Sequence, residues 1–484
     1  MEERAIFKNI SPLDHRYSIS EKQVFDALLP WLSEEASIAA CVRAEIALVL
    51  AHLSLRGGAA AEIRAALTQT VVDAAEVYAE EERTRHNIRA LVNVLKRKVP
   101  PETAHLVHLG ATSVDILDTA LAWRMRGAVR EVVLPLLSRL ETLLCDFAER
   151  EAETPQVGRT HGQHAVPITL GFAVAEYVSR LGKSILEIER LSRGLRGKLA
   201  GAVGAYNAAS MIVRDPEELE RRYLAELGLE PSEHSTQLVE PEYLLRLLLE
   251  INTAFGIIAN LADDLRNLQR SEIGEVREGF AADQVGSSTM PQKRNPWNSE
   301  HVKSLWKAFM PRVMTFFMDQ ISEHQRDLSN SASQRFVAEY LTGFAMAASR
   351  MAEVIEGLAA DRERLARNLS GGRIPGGIMA EPAYILLAET GTVDAHEIIR
   401  RITLRAEAEG LSFADALAAE GEVLARIAGK MTELGLIKHD DEASAFFGAP
   451  ERYRGRAPEK ARSLARKYRE LIKTPITPSA GPIA

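Results

Sequence analysis

Residues 243–270 read YLLRLLLEINTAFGIIANLADDLRNLQR, and this stretch decides the fold. Leu244, Leu245, Leu248, Ile251, Phe255, Ile258 and Leu265 recur at helical spacing and put apolar groups on nearly every face. A helix apolar all round is buried deep in a bundle or an oligomer. Working outward, 114–151 reads as one long helix with a kink expected at Pro135, and 170–199 as another. Pro296 suits the first turn of a helix over 296–323, and 332–368 is a further long segment. Strand-like alternation is scarce. Helices of ~30 residues reach ~45 Å. Five such helices predict an all-α protein with an elongated central bundle, shared between subunits of a homo-oligomer. The stretch 370–377, SGGRIPGG, breaks the pattern, and shorter helices follow. The expected division is an N-terminal helical domain over 1–113, a central long-helix domain over 114–368 and a C-terminal helical domain over 369–484. The tail 474–484 carries three prolines and is expected to lack order.

The 484 residues are too many for one compact core. A formal charge of −8 argues against nucleic acid as the main partner, though a basic pocket for one small phosphate stays compatible with it. Cys41 and Cys145 sit in apolar helical context without a metal or disulfide spacing, which fits reduced core residues of a cytoplasmic protein. The first 17 residues are charged and lack the apolar core of a signal peptide. No uninterrupted apolar run reaches bilayer length, so no membrane partner is expected.

The chemistry concentrates in 286–296, GSSTMPQKRNP. Gly and Pro make it a loop. Removing a proton next to a carboxylate needs a base and a way to hold the charge that builds up. Ser287 can be the base where amides and cations lower its pKa, with Ser288 beside it, and Lys293 and Asn295 can bind the carboxylate. In 158–164, GRTHGQH, His161 lies between glycines ahead of a long helix and is a natural acid for a departing amine. By spacing alone His161 and His164 also fit a metal pair, although no further ligand cluster joins them. Glu300 can orient the acid histidine, or be a first-turn carboxylate favoured by the helix dipole.

Thr84-Arg85-His86-Asn87 falls in a charged helix predicted over 76–98, a solvated face or a contact surface. In His108-Leu109-Gly110-Ala111-Thr112-Ser113 a hydroxyl caps the next helix, and the free amides there also suit a carboxylate or phosphate. Arg326, Ser331 and Arg335 between two helices make a phosphate grip or a capped junction. The N-terminal string SPLDHRY over 11–17 adds Arg16 beside Tyr17.

The 286–296 loop resembles the signature loop of the fumarase/aspartase superfamily. With SPLDHRY, Arg85-His86 and 326–331 RDLSNS followed by Arg335, the chain is similar to the adenylosuccinate lyases from Ser11 to beyond Arg335. The resemblance implies a three-domain all-α fold and a homotetramer whose active sites each draw on three subunits. It implies β-elimination of fumarate from adenylosuccinate, giving AMP, and from SAICAR, giving AICAR, without metal or other cofactor. It matches Ser287 to the base, His161 to the acid and Glu300 to its partner, with His86 also placed among the catalytic groups. Lys293 and Asn295 match the carboxylate-binding pair. Arg16, Tyr17, Arg326, Ser331 and Arg335 match groups that hold the nucleotide. Arg85, His86, His108, Thr112, Ser113, Thr160 and Gln237 match further substrate contacts, and Asn87 stands where the family often has Asp. Gln325 replaces the more usual Glu. Argininosuccinate lyase-like or carboxymuconate cycloisomerase-like chemistry is the alternative within the superfamily.

Overall fold

Glu242–Leu268 forms a single helix in the computed structural model, which describes residues 6–280 and 286–473. Leu245, Leu248, Ile251, Phe255, Ile258 and Leu265 are all buried along it. It packs between the helices Leu170–Arg193, Trp297–Phe309 and Val337–Glu356. The segment 114–151 is continuous but not uniform. Ser113–Ala128 passes through a π-turn at Val129–Val133 into Leu134–Arg150, so Pro135 sits at a first-turn position where its missing N–H costs nothing. One core runs from Leu13 to Leu365 and takes in all these helices. A second core, Met379 to Phe447, is built from shorter helices. The helix Ala457–Lys473 then returns to pack on Leu134–Arg150 and Leu170–Arg193. There Ala461, Ala465 and Tyr468 join the first core.

Four expectations are corrected. The helix predicted over 76–98 is two, Ala74–Thr84 and Asn87–Lys96, broken where Arg85 enters the left-handed region at φ +54°. That over 296–323 breaks into Trp297–Phe309 and Arg312–Met318, because Pro311 cannot donate to the helical ladder. That over 332–368 ends at Glu356, before Gly357. That over 170–199 ends at Arg193, before Gly194. Residues 155–169, for which no element is predicted, form a β-hairpin, Pro155–Thr160 with Gln163–Thr169. The tail 474–484 lies outside the described residues, as do 283–285, the first residues of the signature loop when its expected bounds are taken as 283–296.

Lys22–Leu55 and Glu242–Leu268 are each long and apolar enough to cross a membrane when a few charges are tolerated. Their most apolar windows are 72% and 56% buried inside the fold, and the first is broken at Ser33 into Lys22–Leu32 and Glu34–Leu55, so these segments serve as core helices. Cys41 and Cys145 are buried free thiols, and burial pushes each up to about 12.

The helix Leu170–Arg193 starts hard against the end of Leu134–Arg150. The Gly171 N–H donates to the Glu151 carbonyl at 2.9 Å. A Cβ at Gly171 would meet Ala152 N at 2.6 Å and crowd the Ala148 carbonyl, all of it backbone that cannot swing aside. Gly171→Ala is therefore expected to lower stability by about 2–3 kcal/mol, read as a lower urea midpoint at unchanged slope. An unchanged midpoint would mean the helix junction is looser than this.

Candidate active site

The signature loop is organised around Ser287. The backbone N–H groups of Thr289 and Met290 both donate to Ser287 Oγ, at 3.3 and 3.1 Å. Two donors aimed at one hydroxyl oxygen stabilise the alkoxide relative to the alcohol. Asn295 Nδ2 donates to the Gly286 carbonyl at 3.0 Å and pins the end of the loop to its beginning. Ser288 and Lys293 are exposed and Ser287 is half-buried. Glu300 is exposed in the first turn of Trp297–Phe309, while its neighbour Ser299 is buried and held by Glu278 through both its N–H and Oγ.

His161 is exposed at the tip of the hairpin, at φ +55° next to Gly162. The hairpin is anchored two residues earlier. Arg159 makes two bonds to the fully buried Glu275 carboxylate, at 3.1 and 2.5 Å. Gln156 and Asn368 also donate to it, at 2.7 and 2.8 Å. Thr160 is exposed beside His161. His164 pairs across the hairpin with Arg159, and burial, then the Arg159 charge, lower its pKa. Among the described residues no group of three or more His, Cys, Asp or Glu is placed to hold a metal.

At Thr112 a capping box forms with Asp115, whose carboxylate accepts from the Thr112 N–H at 2.8 Å. Asp115 and Lys198 are a fully buried ion pair. Asp115 further accepts from the Gly201 N–H at 3.2 Å, and Lys198 donates to the Gly201 carbonyl at 3.2 Å. The network fixes Thr112 and Ser113 at the head of a long helix. His108, just upstream, is bound to the buried Glu45.

His86 caps Asn87–Lys96, its Nδ1 accepting from the Arg89 N–H at 3.3 Å. Arg85, His86 and Asn87 are exposed at this break. Arg335 lines a cavity with Ser11, Leu13 and Asp14, so it and the N-terminal motif are brought together. Arg326 is committed locally: its guanidinium donates to the carbonyls of Gln320 and Asp319 at 2.9 and 2.5 Å and closes its own loop. Gln237 reaches that loop through its N–H on the Gln325 carbonyl at 3.2 Å. Ser331 is exposed on the same segment.

Arg16 is exposed, while the Tyr17 hydroxyl shares a 2.9 Å hydrogen bond with His301 Nε2. This joins the N-terminal motif to the helix that carries Glu300. Sequence reasoning missed His301, and the aromatic residue one turn earlier, Trp297, whose ring lies 6.4 Å away, was the available signal. Burial, then the charges of Arg350 and Arg16, hold the His301 pKa below its ordinary value. The folded state therefore favours neutral His301. Its stabilising contribution is complete above the ordinary pKa of about 6.5 and is lost as pH falls from there through the depressed value. The melting temperature of the wild type is expected to drop more between pH 7 and pH 5 than that of His301→Gln. Parallel curves would remove His301 as a source of the acid sensitivity.

Among the described residues no hydrogen bond or ion pair joins His161, Ser287, Lys293 and His86 to one another within one chain. His161, Lys293 and His86 are exposed and Ser287 is half-buried, each on a separate segment of the fold except Ser287 and Lys293, which share the loop.

A family model described as "Lyase" matches residues 15–308, and one described as "Adenylosuccinate lyase C-terminal" matches residues 322–436. The chain is 32% identical to an adenylosuccinate lyase of Pyrococcus horikoshii over 473 residues, covering 96% of this chain and 98% of the relative. It is 33% identical to that of Pyrococcus abyssi over 410 residues, 83% of this chain and 88% of the relative. Among solved structures it is similar to a fumarate lyase from Mesorhizobium, with TM-score 0.78 and 23% identity over 91% of this chain and 97% of the other. It is also similar to a 3-carboxy-cis,cis-muconate lactonizing enzyme from Pseudomonas putida, with TM-score 0.77 and 24% identity over 92% of this chain and 97% of the other. At that identity the two structures speak for the fold alone.

Proposed function

Because the chain belongs to the adenylosuccinate lyase family of the fumarase/aspartase superfamily, we propose that it eliminates fumarate from adenylosuccinate, leaving AMP, and from SAICAR, leaving AICAR, with Ser287 as base and His161 as acid. It is a carbon–nitrogen lyase. The observation at its own residues that carries the mechanism is the Ser287 hydroxyl under two backbone N–H groups. Ser287 removes the proton from the carbon next to the succinyl carboxylate. Lys293 and Asn295 hold that carboxylate as negative charge develops on it. His161 then protonates the departing nitrogen as the C–N bond breaks, with Glu300 as its partner. Tyr17, Arg16 and Arg335 grip the nucleotide, joined by Gln237, Ser331 and the loop that Arg326 closes.

The placement of these groups on separate segments favours a site completed by neighbouring subunits, in a homotetramer. Exposed apolar side chains such as Met314, Met318 and Ile321 support such packing. The division at 113/114 and 368/369 and a cytoplasmic location belong to the same reading. The test is to follow fumarate and AMP together from adenylosuccinate. Equal release of both is the expected result. No release from adenylosuccinate or SAICAR by well-folded oligomer would overturn the substrate assignment, and argininosuccinate and carboxymuconate would be tried next.

A further inference from the structure

The helix Glu34–Leu55 carries a single carboxylate, Glu45, in the middle of its apolar stretch, and it is fully buried there. A buried carboxylate needs donors for its oxygens. Glu45 takes them from one residue 63 positions away. Its Oε2 accepts the His108 backbone N–H at 2.9 Å, and its Oε1 lies 2.6 Å from His108 Nδ1. His108 adopts φ +63°, a left-handed conformation uncommon outside glycine. Two turns further along the same helix, His52 Nε2 bonds to the Leu109 carbonyl at 2.9 Å. One rigid helix thus clamps two successive residues of the segment that leads to Thr112 and Ser113. His108 Nε2 makes no hydrogen bond among the described residues, and the side chain keeps 22% exposure.

We propose that Glu45 is a positioning residue for the elimination: it holds the His108 ring with Nδ1 protonated and turns Nε2 to an anionic group of the nucleotide, a phosphate or a carboxylate. The proposal rests on the lyase reading for the source of that anion. A backbone N–H can only donate, so it fixes one oxygen of Glu45 as acceptor. The other oxygen of a carboxylate can only accept, so Nδ1 carries the proton. The buried negative charge balances a second proton on Nε2 when an anion sits there, and the contact becomes a charge-assisted hydrogen bond.

Glu45→Gln separates this from a packing role. The amide oxygen must face the backbone N–H, so the amide NH2 faces Nδ1 and forces it bare. The ring becomes the neutral Nε2–H tautomer in an unchanged place. KM is expected to rise about tenfold, the difference between a charge-assisted and a neutral hydrogen bond, with kcat within about twofold. Inhibition by AMP weakens to match if the anion is the phosphate, and inhibition by fumarate if it is the carboxylate. Solid-state spectra of the [15N]histidine-labelled protein, with His108→Gln for assignment, should show Nδ1–H in the wild type and Nε2–H in Glu45→Gln. Unchanged KM and inhibition, or a bare Nδ1 in the wild type, would overturn the proposal. If Glu45→Gln does not assemble, the wild-type spectrum decides: Nδ1 protonated alone, with Nε2 gaining a proton on adding AMP or fumarate, supports it, and anything else sinks it. A wild type inactive on both nucleotides would refute the lyase reading, while the ring's tautomer would still be settled by the same spectrum.

Discussion

Ser287→Ala is expected to lower kcat by roughly 10²–10⁴-fold, the usual contribution of a positioned proton-transfer group, while KM changes little. Among the described residues the hydroxyl is held by the N–H groups of Thr289 and Met290, which lie in its own half-exposed loop. Those two amides do more for an alkoxide than for an alcohol, so their effect falls on the reacting state. Loop closure is carried elsewhere, by Asn295 on the Gly286 carbonyl. Fumarate formation at saturating adenylosuccinate reads kcat, and calorimetric binding of AMP checks that the site survives. A fall of less than tenfold in intact oligomer would take Ser287 out of the base role. Mixing Ser287→Ala subunits with His161→Gln subunits adds a second reading. Recovered activity in the hybrids means the two residues reach one site from different chains, and no recovery means they share a chain.

The second large effect is on stability. Lys198→Met is expected to cost about 3–5 kcal/mol, because it strands a fully buried Asp115 carboxylate without its counter-charge. Asp115 has other donors, the N–H groups of Thr112 and Gly201, but these are neutral and do not balance the charge. Adding Asp115→Asn to Lys198→Met should return part of the loss, since the remaining group is then uncharged. Urea unfolding at fixed protein concentration measures both, and a loss below about 1 kcal/mol would show that the carboxylate finds another partner. The damage should also reach catalysis, because Asp115 holds the cap at Thr112.

The long helices were legible because periodicity is a local signal. The apolar spacing over 243–270 matches the helix Glu242–Leu268. What failed were breaks that no period encodes. Arg85 ends a helix by entering a left-handed conformation with no Gly or Pro beside it to mark the break, and Arg326 is left-handed within its loop, again without a glycine to signal it. The hairpin that carries His161 hid because its register slips between Val157 and Arg159, which spoils the alternation a strand would show. The signature loop was readable as chemistry, but its internal hydrogen bonds were not. Glu45 and Glu275 were illegible for a different reason. Each is a single acid in an ordinary context, and its meaning lies in a partner far along the chain, His108 for one and Arg159 for the other.

The returning helix Ala457–Lys473 bears on how the protein is made. It lays Tyr468 against Gly182 and pairs Arg469 with Asp146 and Glu149. The groove it fills is built by residues synthesised far earlier, 320 and 323 positions for the partners of Arg469. During translation that groove stays open while the whole second core emerges and folds. The nascent bundle therefore spends most of its synthesis with an apolar flank exposed, and a chain cut short at residue 456 would carry the signature loop and the 155–169 hairpin on a scaffold left unsealed.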